Sequence, residues 1–412
     1  MNYYSAIRSK VTKFTDFFFY LIIFLLPFER AFLDENLKGA FLQYFIIAFS
    51  LISLLSFRRY YCHWNFALLA FAFFLFVGTI SDILTLGAFT PNIGWALLRS
   101  WVGFYLMVPA YNLTRNDPVA TKRILYLLLW FSLAISICSL LGIGVEEMGT
   151  ERGVEGSRVQ ILGANANESS RDVSLFMLFS FLTLMGVIKC KNWKKVVFAL
   201  LSMVSFAALL KTGSRGGLAA LVIGLLSAIF TANSISKRAW CFILIVVVGI
   251  AGVMVVLTNV TLMDRLAKVV YERDSGGREF IFQQAIYLWT KSKALGLGCI
   301  AYRFPLGDLT GMSQRATHNT YIWALVSAGI IGAPFYYLSL LNILKNSFKV
   351  RFTQGGSFMF VVVVMALFGG MVINLEQAKW SYILYGTILG FSENLRMLSR
   401  KGLNWHLGDV DF

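Results

Sequence analysis

Apolar runs of membrane-span length recur from one end of the 412-residue chain to the other, broken by short polar stretches. About 20 consecutive apolar residues make a helix long enough to cross a hydrocarbon layer of roughly 30 Å. The runs are continuous, not alternating, so the strands of a membrane β-barrel are not indicated. They predict twelve spans, at 16–33, 39–57, 65–84, 94–112, 124–143, 172–188, 196–210, 214–231, 239–258, 318–344, 357–374 and 379–395. The first run is followed by charge, "PFERAFLDENLKG", with no small-residue cleavage site, and reads as a span and not as a removed signal peptide. The fold class is an all-α polytopic membrane protein, with 1–412 forming one integral membrane domain. Most connections are short, and the two long ones are 144–171 and 259–317.

Composition agrees, at 58% hydrophobic and 14% charged, against about 25% charged in soluble domains. Charge then orients the bundle. With the N-terminus placed in the cytoplasm, 20 of the 37 basic residues fall on cytoplasmic segments against 5 of the 21 acidic ones, leaving +15 inside and +1 outside. That is a positive-inside distribution. It also accounts for a pI near 9.7 through anchoring to anionic membrane lipids, with no nucleic acid as partner. Both long connections then lie on the outer face. The five cysteines form no CxxC pair and no zinc spacing, so no metal site is expected.

The outer loops carry arginines that topology does not call for: Arg152, Arg158, Arg171, Arg265, Arg273, Arg278, Arg303 and Arg315. A guanidinium grips phosphate through two parallel hydrogen bonds. The alternative reading pairs these arginines with loop carboxylates such as Glu146, Glu272 and Glu279.

Three stretches carry candidate chemistry. In "KTGSRGG" (211–217), Ser214 can cap the eighth span, and Arg215 lies in its first turn. Open amides, a helix dipole and a guanidinium would make an anion site there; Arg215 reads equally as a residue snorkelling at a span end. The loop 259–317 holds two amphipathic segments, "MDRLAKVVYERD" and "GREFIFQQAIYLWTKSKALGLG", the second opened by Arg278. Finally, "RATHNTYIWALVSAGIIG" (315–332) sets His318 at the mouth of the tenth span, with Thr317 as its cap. Of three histidines, His318 alone shares the outer face with Arg215 and Arg278. A helix N-terminus disfavours imidazolium, and a neutral imidazole can take a proton. His318 reads either as that base or as a residue that only hydrogen-bonds at the interface.

The spacing of His318 and Asn319, nine residues, Gly329, two residues and Gly332 resembles the motif of the bacterial O-antigen ligases, within the O-antigen ligase/polymerase (Wzy-type) superfamily. "SRGG" resembles the family's arginine at an outer helix end, and "GGREF" its second arginine. "RVQILGANANE" resembles a stretch that supplies Arg158, Gly163 and Asn167, with Ala166-Asn167 where the family usually has Pro-Asn. The resemblance implies inverting, metal-independent transfer of a glycan from undecaprenyl pyrophosphate to lipid A–core on the periplasmic face of the inner membrane, without a cofactor. It implies His318, Arg215 and Arg278 as catalytic residues and Arg158, Asn167, Asn319 and Ser214 as substrate-binding ones. Three other activities stay open: an O-antigen or capsule polymerase, a protein O-oligosaccharyltransferase, and a flippase of lipid-linked oligosaccharides. A transporter tends to place charge at the bilayer midplane; here the charge gathers at one face.

Overall fold

The computed structural model describes residues 3–29, 40–87, 91–148, 158–258, 263, 278–371 and 378–400. Among them the chain is helical apart from one small hairpin. The helices are α1 (Tyr3–Leu25), α2 (Ala40–Leu54), α3 (Phe57–Tyr60), α4 (Phe66–Leu86), α5 (Pro91–Asn116), α6 (Pro118–Leu141), α7 (Ala166–Leu184) and α8 (Asn192–Lys211). They continue as α9 (Arg215–Ala228), α10 (Ile235–Thr258), α11 (Arg278–Lys291), α12 (Arg303–Leu309), α13 (Thr320–Val350), α14 (Gln354–Gly369) and α15 (Lys379–Arg400). Each expected span overlaps one of these helices within the described residues. Five helical stretches, Val11–Phe28, Phe66–Leu86, Pro118–Leu141, Asn192–Lys211 and Thr320–Val350, are long and apolar enough to cross a membrane. The protein is an all-α membrane protein.

Side-chain caps set many of the helix starts. Asn65 accepts from Leu68 N at 2.9 Å, Asp117 from Val119 N ahead of Pro118, and Thr353 from Gly356 N at 3.1 Å. Each satisfies a backbone donor that the first helical turn leaves open. At the other end of α6, Gly142 takes a left-handed φ of 75° and closes the helix.

Small residues set the helix packing. α15 lies along α5, and a Cβ added at Gly386 would stand 2.1 Å from Met107 O. One at Gly390 would stand 2.2 Å from Tyr111 O, so this G-x-x-x-G pair brings two backbones into contact. At one end of the bundle, Arg59 bridges Asp16 (2.6 Å) and Asp117 (3.9 Å), and Arg115 bridges Glu393 (3.4 Å). All of these residues belong to segments that the charge pattern assigns to the cytoplasm.

Two features depart from the sequence reading. Within the connection 144–171, β1 (Val145–Met148) and β2 (Arg158–Ile161) pair antiparallel, Val145 opposite Ile161 and Met148 opposite Arg158. The tenth span is also not one continuous helix. Gly329, at φ 58° and ψ −161°, breaks α13, and the backbone of 293–298 fills the break. Leu297 N donates to Val326 O (2.7 Å), Gly298 N to Ser327 O (2.9 Å), Ile330 N to Lys293 O (2.9 Å) and Ile331 N to Ala294 O (3.1 Å). An intact helix would have paired Ile330 N with Val326 O and Ile331 N with Ser327 O. Four bonds to a neighbouring segment replace those two. Val326, Ser327 and Ala328 are fully buried, as irregular backbone at membrane depth has to be.

Of the two amphipathic segments, 264–274 lies outside the described residues. The second forms α11, which ends at Lys291 and not at Gly298. Ile281, Ala285 and Leu288 are its buried face, at helical spacing, and α11 packs on α13; Phe280 and Tyr287 remain exposed.

Candidate active site

Four helix beginnings meet on the face expected to be outermost. Asn165 caps α7, accepting from Asn167 N and Glu168 N at 3.0 Å each, while the Glu168 carboxylate accepts from Asn165 N, which completes a capping box. Ser214 caps α9 as the sequence indicates, accepting from Gly217 N at 3.1 Å. Its hydroxyl also donates to Asn167 Oδ1 at 2.8 Å and so ties α9 to α7. Gly217 permits the approach, because a Cβ there would lie 2.0 Å from Ser170 Oγ. Arg215 is the first residue of α9 and Arg278 the first of α11, and both side chains are half-buried.

α13 is capped by Asn319 and not by Thr317. Asn319 Oδ1 accepts from Tyr321 N (2.9 Å) and Ile322 N (3.0 Å), and its Nδ2 donates to Met371 O (3.0 Å). Thr317 Oγ1 instead donates to Asn319 O at 3.0 Å. His318, one residue ahead of the cap, takes φ 53°. A positive φ is uncommon for a residue with a side chain, although histidine tolerates it better than most. The turn holds the imidazole half-buried.

The electrostatics join these pieces. Burial chiefly, then the charges of Arg315 and Arg278, push the His318 pKa down to about 4; Glu168 acts against them, and Arg303 adds to the fall. His318 is therefore neutral at physiological pH. Burial and, behind it, the charge of Arg215 lower the Arg278 pKa. Arg278 thus lies within electrostatic reach of both Arg215 and His318, although the three residues come from separate segments. Arg158 opens β2, with its backbone opposite Met148.

The structure adds three residues to the set read from sequence. Glu168 is 5% exposed and lies within electrostatic reach of His318; its place three residues after Asn165 is the sequence mark of a capping box. The charges of Arg303 and Arg315 also act on His318, and the two segments are joined where Arg315 N donates to Arg303 O at 3.0 Å. Nothing in their local sequence sets these two apart from the other outer arginines. Among the described residues, no three His, Cys, Asp or Glu side chains gather as metal ligands.

Residues 198–337 match the family model Wzy_C, described as O-antigen ligase. Over those residues the chain is similar to the O-antigen ligases. The matched segment contains Ser214, Arg215, Arg278, His318 and Asn319, while Arg158 and Asn167 precede it. No curated protein matches the chain. One solved chain, from a structure titled "Structural coordination of polymerization and crosslinking by a peptidoglycan synthase complex", is similar at 15% identity and a TM-score of 0.43. The match covers 80% of this chain and 97% of that one. A likeness that low carries no argument.

The arrangement can hold an anion and accept a proton. Arg215 and Arg278 place two guanidinium groups at the starts of α9 and α11. The neutral imidazole of His318 lies within electrostatic reach of Arg278, and a neutral imidazole carries one acceptor nitrogen.

Proposed function

We propose that the chain transfers a glycan from undecaprenyl pyrophosphate to a sugar hydroxyl of lipid A–core, with inversion, on the periplasmic face of the inner membrane. The observation that carries this reading is Arg278 set within reach of both Arg215 and His318. As the anomeric C–O bond breaks, the pyrophosphate takes the bonding electrons, and the two guanidinium groups stabilise its growing charge. The acceptor hydroxyl attacks from the opposite face of the sugar and passes its proton to His318. Bound pyrophosphate offsets the positive charge around the imidazole, so its pKa rises as the donor binds and the ring becomes a better base. Ser214 and Asn167, already bonded to each other, would hold the α7–α9 wall against the donor.

The test is transfer in vitro from purified lipid-linked donor, with donor binding measured separately. General-base help is worth about 10²–10⁴-fold, so His318→Ala loses most of the transfer rate and keeps donor binding. His318→Gln does not restore the rate, because an amide cannot take the proton. Near-wild-type transfer by His318→Gln would make His318 a positioning residue. A deletion strain separates the ligase from the polymerase reading. Loss of a ligase leaves bare core with long polymer still on undecaprenyl pyrophosphate, whereas loss of a polymerase leaves core bearing a single repeat.

A further inference from the structure

Asp82 lies one turn before the end of α4, and its side chain is fully buried. Its Oδ1 accepts from Ile300 N at 2.9 Å and from Ala301 N at 2.8 Å, 218 and 219 residues further along the chain. α13 holds the same turn, where Trp323 Nε1 donates to Cys299 O at 3.2 Å. Gly298 permits the close approach: its φ is 98°, and a Cβ there would stand 2.2 Å from Asp82 Oδ1. Ser81, the neighbour of Asp82, donates instead to Leu295 O at 2.6 Å.

The turn leads straight into two outer arginines. Arg303 N donates to Ile300 O at 3.1 Å and Phe304 N to Ala301 O at 3.3 Å, so α12 is built on the two residues that Asp82 holds. Tyr302, which precedes α12, gives it no side-chain cap; the anchoring carboxylate comes from a distant helix. Arg315 N donates in turn to Arg303 O at 3.0 Å. The charges of both arginines act on His318. A neutral side chain could accept from two amides at lower cost, because a carboxylate taken out of water is strongly unfavourable unless its charge is answered. Asp82 Oδ2 makes no hydrogen bond, and the charge that attracts the carboxylate is that of Arg303.

We propose that Asp82 is a positioning residue of the transfer site: from within the bundle it fixes the turn 299–302, and through that turn it sets how near Arg303 and Arg315 stand to His318. The assignment rests on the reading of the chain as a glycan transferase with His318 as its base. Being fully buried, Asp82 acts on the reaction through the charge around the imidazole. The charged groups that act on His318 are Arg315 of its own segment, Arg278 of α11, Glu168 of α7 and Arg303 of α12. Two of these four hang on the turn that Asp82 holds.

The test uses the full chain in lipid nanodiscs with its histidine rings isotopically labelled, and follows the His318 imidazole by NMR as the pH is lowered. His318→Gln identifies its signal among the three histidines. In wild type the ring takes its proton at a pH of about 4. Asp82→Ala frees the turn and lets the two arginines move off, so the midpoint should rise by about one unit, a tenfold gain in proton affinity. Asp82→Asn keeps an acceptor for both amides; its midpoint should not rise, and it should keep most of the transfer that Asp82→Ala loses. Ser81→Ala removes only the neighbouring bond to Leu295 O and should leave the midpoint in place. Should Asp82→Ala fail to fold, Asp82→Ser, whose hydroxyl is too short to span both amides, takes its place. A residue that merely supports the fold would lower the melting temperature and leave the midpoint unmoved. That result overturns the proposal, and so does an equal rise in Asp82→Asn. An unmoved midpoint in a chain that transfers glycan removes the role of Asp82 and leaves the proposed function standing. The expected shift in a chain that transfers nothing does the reverse.

Discussion

Gly329→Ala should be among the most damaging single-methyl additions in this protein. The backbone there sits at φ 58° and ψ −161°, a region open essentially to glycine alone, at a cost of about 1–3 kcal/mol for other residues. The new methyl would also stand 2.2 Å from Ala294 O. Relief of that overlap means pushing 293–298 away from α13, at the expense of four backbone hydrogen bonds of 2.7–3.1 Å. At about 0.5–1.5 kcal/mol each, these contribute roughly 2–6 kcal/mol. The sum is a large part of a typical 5–15 kcal/mol stability. Gly249→Ala is the control, because α10 leaves open space at that position, and in mid-helix the change gains up to about 1 kcal/mol. Thermal unfolding of the two purified variants in detergent reads the difference. The segment 293–298 also links α11, which bears Arg278, to the half of α13 headed by His318, so Gly329→Ala protein that survives purification should transfer poorly. A Gly329→Ala variant that melts with Gly249→Ala and transfers normally would refute the account of the break.

Three further outcomes follow from the site and the charge pattern. Arg215→Lys and Arg278→Lys should each lower transfer at unchanged protein level in the membrane, by about tenfold or more where a bidentate fork becomes a point charge; full activity in Arg215→Lys and Arg215→Ala would reduce Arg215 to a membrane anchor. His318 must be neutral to act as base, so the rate falls as pH drops through its pKa. That fall should come near pH 4 in kcat/KM, which reports the free enzyme, and at higher pH in kcat, where bound pyrophosphate raises the pKa; coincident limbs would contradict donor contact at His318. An impermeant thiol reagent applied from the outer side should label Ser313→Cys and spare Ser234→Cys, and the opposite pattern would invert the bundle and the mechanism together.

The helices were legible because span length and apolarity suffice to locate them, whatever they pack against. The Ser214 cap was legible for the same local reason. What stayed hidden depended on partners distant in sequence. Gly329 sits in a run that reads as one helix, and only the backbone of 293–298, some thirty residues earlier, makes the break affordable. In "THNT" three residues can cap a helix, and it is the left-handed turn at His318 that moves the cap to Asn319. Each strand of the hairpin is four residues long, too short for an alternation to show. Arg171 was read as an outer-loop cation with loop carboxylates for partners. Its partner is the next residue, Asp172, and the pair is buried inside α7.

The placement of the two candidate arginines argues for an anion. A helix carries partial positive charge at its N-terminus, so stability alone would favour arginine in the last turn and a carboxylate in the first. α7 follows that rule, with Glu168 in its first turn. α9 and α11 do the opposite and begin on Arg215 and Arg278. Arg278 also feels the charge of Arg215. Alternation of the spans brings the N-termini of α7, α9 and α13 to one face, so their dipoles add there. A pyrophosphate bound beside Arg278 would offset the repulsion that Arg215 exerts on it. Snorkelling accounts for an arginine at a span end, but it gives no reason for Arg278 to lie within electrostatic reach of both Arg215 and His318.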